Sequence, residues 1–405
     1  MLYKFGQLFE IIDGDRGKNY PSDSDFLDEG YCLFLNAGNV TKSGWSFESN
    51  MFISKEKDEQ LRKGRVSRGD TVLTTRGTVG NAGYYGDQVP FNHLRINSGM
   101  VILRERDNRI IDNEFIYYLV TSPIARKTIE LFCSGSAQPQ LPIKDFVRIK
   151  IDLPTVDEQR RMVSILSTYD NLIELNNKRI KILEQMAENL YKEWFVRFRF
   201  PGHESAEFEN GIPKGWKYRI VESLSDICQR GISPDYDDVG ELTVISQKCI
   251  RQNIMDISEA RKHTKAFKPE LNLVDGDTVI CSTGTGTLGR VGQVYGDYPD
   301  TTFDSHVTLI RAKTGIGKHF LYWTLKEMQP WFMNMGIGST NQQELYRGTI
   351  KNAKVLKPAD CLISQFDQVL EPIHSSIISL IKSQENLVRQ RDLLLPRLMS
   401  GKLEV

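Results

Sequence analysis

The chain has 405 residues, 40% of them hydrophobic and 26% charged, the profile of a folded protein of about two to three domains. Lysine plus arginine (52) equals aspartate plus glutamate (52), which excludes binding of a polyanion by bulk charge while leaving room for a local basic face. Six cysteines without a Cys-x-x-Cys pair exclude a disulfide scaffold or structural zinc site, and neither a membrane-length apolar run nor a signal-peptide core is present. A cytoplasmic protein with no membrane partner is the expectation.

In chain order, residues 1–153 carry short β-rich runs between glycine, asparagine and aspartate, among them Tyr31 to Leu35, Thr71 to Thr74 and Met100 to Arg104. One helix-like run follows, Asn113 to Phe132. Residues 154–200 read as a long helix. Residues 201–357 begin with a turn-rich linker and repeat the β-rich pattern, with Leu242 to Ile245, Asp277 to Cys281 and Val307 to Arg311 as strands and Gly317 to Met335 as the helix-like run. Residues 358–405 read as a second long helix and tail. The fold class is mixed α/β (α+β): two tandem globular domains separated by long helices.

The halves repeat. Gly69-Asp70-Thr71-Val72 returns as Gly276-Asp277-Thr278-Val279, Gly77 to Gly83 as Gly286 to Gly292, and Tyr85-Gly86-Asp87 as Tyr295-Gly296-Asp297. Asn97 to Arg104 falls on Asp304 to Arg311, Gly135-Ser136 on Gly338-Ser339, and Leu153-Pro154 on Lys357-Pro358. The offsets of 207, 209, 210, 207, 203 and 204 are nearly constant, so the chain is two copies of one unit.

Within the helical segments, Leu166, Tyr169, Ile173, Asn176, Ile180, Leu183, Ala187, Leu190 and Trp194 follow at spacings of 3 and 4. A shift of 204 gives Leu370, Ile373, Ile377, Leu380, Gln384, Leu387, Arg391, Leu394 and Leu398 in the same phase. This is a coiled-coil seam. A helix over Glu158 to Val196 spans roughly 60 Å and needs an equally long partner. Equivalence of the copies predicts an antiparallel pair with internal pseudo-twofold symmetry and the globular domains at opposite ends. Asn176, Gln384 and Arg391 interrupt the seam and are candidates for fixing its register.

Two loops in each copy carry candidate binding chemistry. The first holds Thr75, Arg76, Thr78 and Asn81, matched by Thr285, Thr287 and Arg290; its glycines allow close backbone approach while hydroxyls, an amide and a guanidinium offer donors to phosphates. A plain hairpin is the alternative, and recurrence in both copies favours binding. The second holds Gln138 and Gln140, matched by Asn341 and Gln342, whose amides suit adenine edges or, alternatively, a polar helix cap.

Catalytic chemistry has no counterpart in both copies. Gly284-Thr285-Gly286-Thr287-Leu288-Gly289-Arg290 meets a Gly-x-Gly-x-x-Gly spacing but lacks the Gly-Lys-[Ser/Thr] ending of a phosphate-binding loop, and a strand follows it instead of a helix. The six histidines form no metal-ligand spacing. The chain reads as a reader or scaffold with no enzyme activity of its own.

Leu153-Pro154-Thr155-Val156-Asp157-Glu158-Gln159-Arg160-Arg161, Ile212-Pro213-Lys214-Gly215-Trp216 and Leu395-Pro396-Arg397-Leu398-Met399-Ser400-Gly401-Lys402-Leu403 together resemble the specificity subunit of type I DNA restriction-modification systems. The resemblance extends over essentially the whole chain. It implies that the two globular parts are target recognition domains, each reading half of a bipartite sequence in double-stranded DNA, with the helices as a ruler. It implies two methyltransferase (modification) subunits and restriction/translocase subunits as partners. No cofactor is expected on this chain; S-adenosylmethionine, ATP and Mg belong to the partners. Glu158, Arg160, Arg161, Trp194 and Phe195 are candidate partner-docking residues, although Trp194 and Phe195 also suit packing inside the chain. In the second copy, Asp360 to Gln365 lacks the Glu-Gln-Arg of the first, which predicts a weaker helix-end contact there. The rival function is a non-enzymatic protein-interaction scaffold with two β-rich binding modules.

Overall fold

A computed structural model describes residues 2–133, 139–251, 253–284, 286–338 and 343–403. The chain divides into two compact units, one of residues 1–174 with 385–405 and one of residues 175–384.

The first unit opens with β1 (Leu2–Lys4) and β2 (Phe9–Asp13). Then come β3 (Cys32–Leu35), β4 (Phe52–Ile53), β5 (Arg65–Val66), β6 (Thr71–Thr74), β7 (Ala82–Tyr84), β8 (Leu94–Ile96), β9 (Met100–Glu105) and β10 (Lys150–Asp152). One antiparallel sheet has the order β2-β9-β6-β7; a second has the order β4-β3-β8-β5, in which β3 and β8 run parallel. β1 and β10 form a separate antiparallel pair.

The second unit repeats this plan with β11 (Lys217–Ile220), β12 (Ser225–Arg230), β13 (Leu242–Ile245), β14 (Arg261–His263), β15 (Thr278–Cys281), β16 (Val291–Gln293), β17 (Thr301–Phe303), β18 (Val307–Ala312) and β19 (Lys354–Lys357). Its sheets are ordered β12-β18-β15-β16 and β14-β13-β17, with β13 and β17 parallel and β11 paired to β19. The duplication read from weak sequence matches is therefore a duplication of topology.

Each helix-like run is two helices rather than one. Asn113 to Phe132 forms α1 (Asn113–Thr121) and α2 (Pro123–Leu131), because Ser122 turns extended, caps α2 by accepting from Ala125 N, and precedes a proline at the first helical position. Gly317 to Met335 likewise becomes α4 (Lys318–Glu327) and α5 (Gln329–Asn334), with Pro330 near the second start. The long helices are α3 (Val156–Tyr191), which continues into a π-helical turn at Lys192–Val196, and α6 (Asp360–Met399).

In each unit, α3 and α6 pack antiparallel. Within the first unit, Leu166 shares a core with Leu395 and Leu398, and Asp170 accepts from Arg391 Nη1 at 2.7 Å. Within the second, Asn176 meets Ser383, Ile180 lies in one cluster with Ile377, and Phe195 stacks edge-on against Phe366 at 4.9 Å. As the number on α3 rises, that of its partner falls. Leu166, Asn176, Ile180, Leu370, Ile377 and Leu398 are buried; Tyr169, Ile173, Leu183, Leu190, Ile373, Leu380, Leu387 and Leu394 are half-buried. Of the polar interruptions, Arg391 has the firmer partner: Asp170 takes both its guanidinium and the Tyr118 hydroxyl at 2.8 Å, so the seam is tied to α1. The Asn176–Ser383 contact is longer, 3.4 Å.

α3 also carries a buried acid. Burial pushes Glu184 up to about 7, opposed by Asn253 and Lys326, and its Oε1 has no hydrogen-bond partner among the described residues. Between pH of about 4.5 and 7 the folded chain keeps a proton that the unfolded chain has lost, so stability falls as pH rises through that window. Glu184→Gln removes this dependence: thermal melts should match the parent near pH 4.5 and exceed it at about pH 8, by roughly 1–3 kcal/mol.

Candidate nucleic-acid interface

The first candidate loop joins β6 to β7. Gly77 (φ 73°) and Gly80 (φ 90°) adopt left-handed conformations that let it double back. The Thr74 hydroxyl donates to the Thr78 carbonyl and accepts from Asn81 N at 3.1 Å, closing the turn from inside. Thr75 is buried, with its hydroxyl donating to Gly99 O at 3.0 Å, and the Asn81 amide donates to Val40 O at 3.1 Å. Thr75 and Asn81, read from the sequence as DNA contacts, are placed here as internal braces. Thr78 and Arg76 remain at the surface, exposed and half-buried respectively.

The second loop is brought against the first. Gly77 N donates to Pro139 O (3.1 Å), Leu141 N donates to Thr75 O (2.9 Å), and Arg76 bridges Gln140. With the Gln140 amide oxygen facing the guanidinium, it accepts from Arg76 Nε and Nη2 at 3.2 and 3.1 Å. Gln138 lies outside the described residues. Arg16, which sequence reading missed, reaches the same place by donating to Ser98 O at 3.3 Å. It stands in the loop after β2, far in sequence from the glycine motif.

The second unit repeats the arrangement with other residues. Leu345 N donates to Ser282 O at 2.8 Å and Thr283 bridges Glu344, so the late loop again docks on the loop after the central strand. Thr287 turns its hydroxyl inward onto Thr283 O (3.1 Å) and Gly284 O (3.2 Å). Arg290 is half-buried at the entry to β16, near enough to Lys326 to depress it further after burial. Thr285, Asn341 and Gln342 lie outside the described residues. Among the described residues, the mouth holds a set the loop motif did not reveal. His306 Nδ1 lies 2.7 Å from the Thr283 hydroxyl, which also donates to Gln247 Oε1 at 3.2 Å, and Arg230 pairs with Glu344.

The matched Gly-Asp-Thr-Val and terminal arginine turn out to be one feature. Arg104 donates to both carboxylate oxygens of Asp70 at 2.8 Å, and Arg311 to those of Asp277 at 2.8 and 2.7 Å. Each pair clamps the turn before the central strand to its neighbour, which sets where the glycine loop emerges.

The Glu-Gln signature at the start of α3 is also architectural. Thr155 and Glu158 form a reciprocal cap: Glu158 Oε2 accepts from Thr155 N at 2.7 Å, and Glu158 N donates to Thr155 Oγ1. Gln159 is fully buried; its amide donates to Ile110 O and Pro154 O at 3.0 Å and accepts from Asp112 N at 2.9 Å. This knits α3 to the start of α1. The second copy has Ile363 at that place, where the sequence predicts a weaker contact; there Asp367, one turn further along α6, accepts from Phe320 N (3.0 Å) and His319 N (3.3 Å) at the start of α4. Of the candidate docking residues, Glu158 is occupied as a cap, Arg160 is exposed near Asp112 and Asp157, and Arg161 is exposed. Trp194 and Phe195 are not a docking surface. They are buried among Tyr191, Trp216, Phe320 and Phe366 in the core of their own unit.

Known proteins resemble this duplicated α/β chain in sequence and in fold. Residues 1–185 match the family described as the type I restriction modification DNA specificity domain. The MjaIX specificity subunit of Methanocaldococcus jannaschii is 26% identical over 351 residues, covering 84% of this chain and 78% of that protein. The HindI specificity subunit of Haemophilus influenzae is 23% identical over 470 residues, covering 96% and 98%. The crystal structure of a type I restriction-modification S subunit from M. genitalium has the same fold, with a TM-score of 0.55 at 17% identity over 98% of this chain and 95% of that one. The chain is thus similar to type I restriction enzyme specificity subunits in sequence, and shares the fold of one of them.

Replacing Gln159 by Ala strands three buried backbone groups and should lower stability by about 2–3 kcal/mol, against about 1 kcal/mol for Glu158→Ala, measured by denaturant titration. Phe195→Ala should destabilise the isolated chain by about 3–5 kcal/mol. A parental melting curve with only partner binding lost would return Phe195 to the surface.

Proposed function

We propose that this chain is the DNA-reading subunit of a type I restriction-modification complex, each unit recognising one part of a bipartite duplex target. The observation that carries the reading is the twofold convergence of a glycine loop and a late polar loop at the end of a central sheet, once around Arg76 and Gln140 and once around Thr283, His306 and Gln247. Different side chains on one scaffold suit recognition of different base sequences by equivalent units. Gln140 orients the Arg76 guanidinium, the group best fitted to a guanine edge or a phosphate.

Under this reading the chemistry resides elsewhere. Adenine methylation with S-adenosylmethionine and ATP- and Mg-dependent restriction belong to partner subunits, and among the described residues no cluster of His, Cys, Asp and Glu is placed to hold a metal. Two modification subunits would dock on the long helices. Outside the seam, α3 exposes Ile165 and Leu172 in the first unit and Leu175, Ile182 and Met186 in the second, more apolar surface than a free helix face needs. No helix among the described residues is long and apolar enough to cross a membrane.

Co-expression with the methylating partner, followed by mapping of methylated adenines, tests the reading: modification should fall at one split sequence. Arg76→Ala should reduce methylation there about tenfold or more, or relax one part of the target. Unchanged affinity and an unchanged methylation map would overturn the role of Arg76, and equal binding of random and specific duplexes by the assembled complex would overturn the recognition reading.

A further inference from the structure

Beside the β11–β19 pair of the second unit lies a recess of about 460 Å³, walled by β11, the turn after β18 and the start of α6. Lys217, Arg219, Lys313 and Lys357 line it against a single carboxylate, Asp360, which pairs with Lys357. Among the described residues, Lys217, Arg219 and Lys313 form no ion pair with a carboxylate. Lys217 and Arg219 stand two residues apart on one strand and so share a face. Lys217 also sits directly opposite Lys357 in the antiparallel register. Like charges in that position destabilise a strand pair unless an anion lies between them.

The first unit shows that the fold does not require this. Its β1–β10 pair is the counterpart, with Phe5 N donating to Ile149 O as Val221 N donates to Ala353 O, yet Tyr3 stands opposite Ile151 where Arg219 stands opposite Val355, and Leu153 takes the place of Lys357. The neighbouring helix start differs in the same sense. Thr155 and Glu158 close the first turn of α3 with an acceptor and a negative charge, whereas Ala359 precedes α6 and has no side-chain acceptor. The second unit thus carries bases where the first has an aromatic and an apolar side chain.

We propose that this recess binds a phosphate group. A planar guanidinium with three ammonium groups suits the several charged oxygens of a phosphate better than a lone carboxylate. Two sources present that chemistry, a free phosphate or polyphosphate anion and the backbone of duplex DNA outside the bases being read. Binding of a free anion does not depend on the recognition reading above, so the two can fail separately.

The test uses the full chain and two exposed-residue variants: Lys217→Gln with Arg219→Gln, and the control Lys268→Gln elsewhere on the second unit. Calorimetric titration with inorganic pyrophosphate should show saturable binding that weakens about tenfold or more in the double variant and is unchanged in the control. Fluorescence anisotropy with a random duplex then separates the sources. A double variant with weaker duplex binding and a salt dependence shallower by about one to two charges assigns the site to the DNA backbone. Duplex binding that stays parental while pyrophosphate binding is lost assigns it to a free anion. Absence of saturable pyrophosphate binding together with a parental duplex salt slope, or equal weakening by the control, would overturn the proposal.

Discussion

An apolar stripe that runs the length of two long helices has to be buried along all of it, and this constraint organises the rest of the molecule. A 36-residue helix and a 40-residue helix with one sticky face each cannot persist singly in water. Each finds the other, antiparallel, and the globular sheets supply what remains. In the first unit the Arg391–Asp170–Tyr118 network ties seam to α1; in the second, Tyr295 closes over Ile180 and Ile377. Because the stripe is shared between two units, the first unit is assembled from both ends of the chain and is not continuous in sequence.

Duplication preserved contacts more faithfully than residues. The Asp70–Arg104 and Asp277–Arg311 clamps are the same chemistry at the same place, since only a bidentate pair holds that turn against its strand. The helix-to-helix brace changed hands, from the Gln159 amide, which accepts from one N–H at a helix start, to the Asp367 carboxylate, which accepts from two, because such N–H groups donate to either oxygen. Where contact was not required by the fold, the copies diverged furthest: at the loop mouths, and around the β11–β19 recess, where Arg219 and Lys357 take the places of Tyr3 and Leu153. The neutral total charge conceals this uneven distribution.

Within the loops, most of the polar groups are consumed in holding shape. Thr74, Thr75, Asn81 and Thr287 direct their side chains inward to carbonyls. A glycine-rich turn needs such bracing, since its backbone has many accessible conformations and few side chains to anchor it. The groups left at the surface are then presented by a constrained frame, which is the condition for discriminating one base edge from another.

Periodicity and self-similarity made the helices, their seam, the duplication and the strand positions legible from residue order alone, because those properties depend on spacing, and spacing is what a sequence records. The proline breaks of Ser122-Pro123 and Gln329-Pro330 were legible too, though the longer apolar pattern masked them. Tertiary structure alone decided which side chains face inward. Trp194 and Phe195 look like a sticky surface until Trp216 and Phe366 are folded over them, and Thr75 and Asn81 look like donors until Gly99 and Val40 offer carbonyls. Arg16, Gln247 and His306 join the loop mouths from segments distant in sequence, and the opposition of Lys217 to Lys357 exists only once two strands over a hundred residues apart are paired in register.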